Sequence, residues 1–184
     1  MELAAVLLPV MAFIALAAGL LVVFRGTARI AARTREVHQF RGGIKDLASR
    51  VDAQIEAATG RIDAVRHNQA GPELINQTVV DATEALERYG DEARALKAPR
   101  RAQSIRDDLV AELERASRAL GMVEHGANML ASSRRGSREL EAQTSIKRGY
   151  LNLIHAREAI ARQAIRADDF RIDEGPSERQ IFDL

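Results

Sequence analysis

From residue 37 onward, apolar residues recur at steps of three and four. In a first segment Val37, Phe40, Ile44, Leu47, Val51, Ile55, Ala58, Ile62 and Val65 keep that spacing, which lines them along one face of an α-helix. Two successive steps of four around Val51 make a stutter that shifts the stripe locally toward an eleven-residue repeat. The stripe crosses Gly42-Gly43 in phase. Adjacent glycines cost about 1 kcal/mol each inside a helix, so this pair reads as a soft joint whose continuity the pattern leaves open.

A second segment opens at Gly71-Pro72, with Pro72 suited to a first helical position. Ile75, Val79, Ala82, Leu86, Tyr89, Ala93 and Leu96 then alternate four and three, the clearest heptad in the chain. Pro99 stops it and starts a third segment, whose stripe is Ala102, Ile105, Leu109, Leu113, Ala116, Leu120, Val123, Ala127 and Leu130. Ser132 to Ser137 reads as a turn with Ser137 as a helix N-cap. The fourth segment, 137–168, is apolar over a wider arc, including Leu140, Ile146, Tyr150, Leu153, Ile154, Ile160, Ala161, Ala164 and Ile165. That width suits a bundle interior touched by two neighbours. Residues 169–184 lose the period and gain acids, Gly and Pro, which reads as a disordered acidic tail. Short connections make consecutive helices antiparallel neighbours. An extended parallel coiled-coil dimer is the alternative, and the breaks at 71–72 and 98–99 argue against one continuous rod.

Ahead of these segments the pattern disappears into hydrocarbon. Residues 3–24, LAAVLLPVMAFIALAAGLLVVF, carry no charge. As a helix they extend roughly 33 Å, against about 30 Å for a bilayer core. A cleaved signal peptide would show a basic start and a small-x-small cleavage site, but here Glu2 precedes the run and Val-Val-Phe-Arg ends it. Arg25, Arg29, Arg33, Arg35, Arg41 and Lys45 all follow the run and none precedes it. The positive-inside rule therefore puts the N-terminus outside and the rest in the cytoplasm. Arg25, Arg29 and Arg33 share a helical face and are the candidate contacts to anionic lipid headgroups. Ala15 and Gly19 offer one small-xxx-small spacing for pairing of spans. This layout, an N-out span followed by a cytosolic helical bundle, is broadly similar to the LemA family of bacterial membrane proteins. The similarity is one of layout alone, and no motif carries a function over.

Composition narrows the chemistry. Of 27 basic residues only Lys45, Lys97 and Lys147 are lysines, which with the abundant Ala suggests a GC-rich bacterial genome. Net charge is +1 and there is neither Cys nor Trp, so disulfides, thiolate metal sites and a Cys nucleophile are excluded. Nucleic-acid binding would call for a basic domain with interleaved aromatics, and Arg100-Arg101 and Arg134-Arg135 with Arg138 stand among acids instead. No phosphate-binding glycine loop and no Gly-x-Ser-x-Gly elbow occurs. Neither His38, His67, His125 nor His155 has an acid three residues before it, so a di-iron bundle has no ligand set. Glu124-His125 and His155-x-x-Glu158 remain as conceivable ligands on facing helices, although His beside Glu usually marks a solvated helix face. Asn76-Gln77-Thr78 matches a glycosylation sequon inside a predicted cytosolic helix, where chance explains it.

The expected protein is all-α: a transmembrane anchor (1–24), a basic juxtamembrane helix (25–43), an antiparallel bundle of about four helices (44–168) and a tail (169–184). No cofactor, metal or catalytic site is expected. The expected role is a scaffold in a bacterial inner membrane whose bundle binds protein partners or itself, with a signalling element that transmits helix motion as the alternative.

Overall fold

A computed structural model describes residues 2–67, 69–71, 73–132 and 138–170, with the backbone alone for 2–19 and 21–30. Among the described residues it holds four helices: α1 (Glu2–Arg66), α2 (Glu73–Ala95), α3 (Gln103–Ser132) and α4 (Arg138–Asp169), with a 3-10 turn at Arg100–Ala102 leading into α3. No strand occurs among the described residues. Pro72, Ser137 and residues 171–184 lie outside them, and with them the expected N-terminal proline, the N-cap and most of the tail.

The chain divides into two compact units, Met1–His38 and Gln39–Leu184. The first holds the N-terminal part of α1, where Arg33 and Arg35 are exposed. The side chains of Arg25 and Arg29 lie outside the described set. Among the described residues no helix is long and apolar enough to cross a membrane. The span expected over 3–24 falls, Leu20 apart, on residues whose side chains lie outside that set.

The second unit is a four-helix bundle. The α1 stripe from Phe40 to Val65, the α2 stripe from Ile75 to Ala93 and the α3 stripe from Ala102 to Ala127 are buried, with Tyr89, Leu96 and Leu130 packed at the edge of the same core. Each large apolar side chain taken out of water contributes about 1.5–3 kcal/mol, which is what holds helices of this polarity together. Cross-links fix the direction of every neighbour. Arg50 on α1 bonds Glu92 on α2, and Arg94 near the end of α2 bonds Glu114 on α3 at 2.9 Å. Asp108, early in α3, accepts from Arg166, late in α4, at 2.7 Å. α4 then returns along α1, pairing Arg157 with Asp52 and Glu56 and Asp168 with Arg41. The order is up-down-up-down, with α4 closing on α1.

Helix α1 runs unbroken through Gly42-Gly43. Nothing lies within 4 Å of a side chain placed at Gly42, whereas at Gly43 one would meet Leu96 Cδ2 at 2.8 Å. Gly43 thus lets the connection after α2 settle against α1. At the far end of α4, Phe170 packs against the core just beyond the last helical residue, Asp169.

Candidate interaction surface

Helices α3 and α4 approach each other closely, and two glycines set the distance. A Cβ on Gly126 would lie 2.8 Å from the Ala142 carbonyl oxygen and 2.7 Å from Ile146 Cγ1. A Cβ on Gly149 would lie 2.7 Å from the Ala119 oxygen and 2.6 Å from Val123 Cγ2. The two helices carry the same short pattern here: Ala119, Val123, Gly126 and Leu130 match Ala142, Ile146, Gly149 and Leu153 in spacing. Run antiparallel, each glycine of one copy of the pattern receives the branched residue of the other.

Helices this close push larger side chains to the rim. Met122 and Met129 from α3 and Leu140 and Thr144 from α4 border a shallow cleft of about 450 Å³, with His125 and Arg148 at its polar edge. The Ser145 hydroxyl donates to the Met122 carbonyl oxygen at 2.9 Å across its floor. Met122 is 44 % exposed and Leu140 74 %, so a partner's apolar side chain would find flexible, polarisable contacts here.

The wide apolar face expected to lie inside the bundle is divided. Ile146, Leu153 and Ile160 are buried, and Tyr150, Ile154 and Ala164 are half-buried. Leu140, Ala161 and Ile165 are exposed, as is Leu151. Width alone does not distinguish an interior wetted by no solvent from two separate faces. Here Ala142, Ala156 and Ala159 bring α4 close to its neighbours, and the bulky residues opposite them are left outside.

Among the described residues, charged side chains fasten the helices to one another. Arg157 makes two hydrogen bonds to the Asp52 carboxylate and one of 3.0 Å to Glu56. Those bonds hold the Asp52 carboxyl below its ordinary range and push Arg157 up. Glu92 does the same for Arg50, which also sits over the Tyr89 ring, and Glu114 does so for Arg94. The Arg157–Asp52 and Arg50–Glu92 pairs, both half-exposed, each contribute about 0.2–1 kcal/mol. Along α1 Asp46 and Arg50, four residues apart, pair at 3.0 Å, while Glu114 bonds Arg94 across helices.

His125 stands at the α3–α4 cleft, opposite Glu141 to Arg148. His155 lies at least seven residues further along α4, more than about 10 Å away at 1.5 Å per residue, so the two candidate His–Glu pairs do not meet. Among the described residues no cluster of three metal-binding side chains occurs. Thr78 of the sequon is buried inside α2 and donates to the Leu74 oxygen at 2.6 Å. Arg100 and Arg101 are exposed in the 3-10 turn. No family model matches the chain, and neither does any curated protein or solved structure.

Proposed function

We propose that the chain is a single-span protein of a bacterial inner membrane whose bundle is a protein-interaction module on the cytoplasmic side. The observation that carries the interaction reading is the row of large apolar side chains exposed on the outer face of α4, opposite its core face. The anchor reading rests on the uncharged run 3–24 and on the arginines that follow it. Arg25, Arg29 and Arg33 then meet anionic headgroups, contributing about 1 kcal/mol each near the surface. Partner binding by the bundle needs no cofactor or metal.

Crosslinking of the full chain in intact cells, followed by capture from mild detergent, tests the reading. Deleting α4 would open the core, so the control is Leu151→Glu with Ile165→Glu, two changes on exposed positions. The reading predicts discrete crosslinked species that this variant loses. No crosslinked species, or the same species from the variant, would refute it. A signalling role for the same module is the second reading, favoured by the stutter in the α1 stripe and the open space around Gly42. It predicts altered output in a genetic assay when Gly42→Ala stiffens the joint.

A further inference from the structure

The exposed face of α4 has a register of its own. Leu140, Thr144, Lys147, Leu151, Ile154, Glu158, Ala161 and Ile165 follow one another at alternating steps of four and three. All are exposed except the half-buried Ile154. This is the spacing of a coiled-coil seam, and it lies on the side of α4 away from Ala142, Ile146, Gly149, Leu153 and Ile160, which face the core.

The seam is complementary to itself when reversed. About a centre between Asn152 and Leu153, Leu140 falls opposite Ile165, Thr144 opposite Ala161, Lys147 opposite Glu158 and Leu151 opposite Ile154. Every apolar residue meets an apolar residue or, at Ala161, a threonine. The single cation meets the single anion. Among the described residues neither Lys147 nor Glu158 makes an ion pair within the chain. In a parallel pairing each would face its own copy, lysine on lysine and glutamate on glutamate, which is repulsive. We infer that the outer face of α4 pairs antiparallel with α4 of a second copy of this chain. The interface is two-fold symmetric, so each contact occurs twice.

The cleft between α3 and α4 fits this arrangement. Its apolar border at Leu140 and Thr144 is the first turn of the seam, and Met129 stands beside it. Ile165 of the second copy, opposite Leu140, would seat there. The pairing deepens the protein-binding part of the reading above and rests on that part, not on the anchor, with the partner now specified.

The test is a charge-swap cycle on the full chain in detergent micelles, which leave two copies free to meet in either sense. Sedimentation equilibrium gives the dimer constant. The wild type is expected to dimerise, and Lys147→Glu or Glu158→Lys alone, each replacing two attractive contacts by two repulsive ones, to weaken the dimer by about tenfold or more. Mixing the two single variants restores both contacts in a heterodimer, and K147E/E158K restores them in a homodimer. Circular dichroism on each variant checks that these exposed changes leave the bundle folded. A monomeric wild type, single variants that dimerise as the wild type does, or a mixture that fails to recover would overturn the pairing. Self-association that persists unchanged through the cycle would remove the α4 seam and leave the broader interaction reading standing. A chain that neither self-associates nor yields crosslinked species in cells removes both.

Discussion

Replacing Gly126 with Ala puts one methyl group between two closely packed helices, α3 and α4. The new Cβ would stand 2.8 Å from the Ala142 oxygen and 3.1 Å from the Ile146 nitrogen, both backbone atoms of α4. Neither can swing aside as a side-chain end would, so α3 and α4 must separate locally. Overpacking of this kind costs about 1–3 kcal/mol, offset by the roughly 1 kcal/mol that Ala gains over Gly as a helix former. The net expectation for Gly126→Ala is a loss of up to about 2 kcal/mol, and for Gly149→Ala the same. Gly42, Gly60 and Gly121 provide the contrast, since nothing lies within 4 Å of a Cβ at any of them. There only the propensity gain remains, and each Ala should stabilise by about 0.5–1 kcal/mol. Thermal melts of the full chain in detergent, followed at 222 nm, should therefore separate Gly121→Ala from Gly126→Ala by about 5 °C, with opposite signs relative to wild type. Equal shifts in the same direction would refute the claim that glycine sets the α3–α4 distance.

Leu120 is fully buried while Val80 is 47 % exposed. Leu120→Ala should cost about 2–4 kcal/mol in the same melts, and Val80→Ala no more than about 0.5 kcal/mol. Asp52 is held below its ordinary value by Arg157, so its contribution is complete above the unfolded carboxyl value near about 4 and is lost as the pH falls through the folded value. Arg157→Met should be less stable than wild type at neutral pH by up to about 1 kcal/mol, the pair being partly exposed. Urea titrations from pH 7 to pH 2 should show that difference fading below pH 4; a constant difference would mean the pair contributes by packing alone.

Much of the bundle was legible in the spacing of apolar residues. The α1, α2 and α3 stripes read from sequence are the buried faces, because a single stripe of large side chains has one way to leave water. α4 resisted that reading. It carries two apolar rows, and which of them pairs within the chain depends on where small residues let the neighbours approach. Leu140 at 74 % and Ile165 at 61 % exposure belong to the second row. The glycines were ambiguous for a related reason. Gly121 and Gly126 look alike in sequence, yet one faces solvent and the other the Ala142 carbonyl, a distinction made only by the helix opposite. Arg157 with Asp52 and Glu56 joins residues about a hundred positions apart, beyond any local pattern. The four-three spacing on the outer face of α4 is present in the residues, hidden because Leu140, Ile154, Ala161 and Ile165 read as part of one wide core face.

The claim on which the account depends most is that residues 3–24 hold the chain in the inner membrane with the bundle on the cytoplasmic side. Alkaline extraction of membranes, combined with protease access to a tag placed after Leu184, measures it directly. The account predicts a chain that retains residues 3–24, stays with the membrane pellet and loses its tag only after the inner membrane is broken. A mature chain that begins beyond Phe24, or a tag cleaved from outside intact spheroplasts, would contradict it.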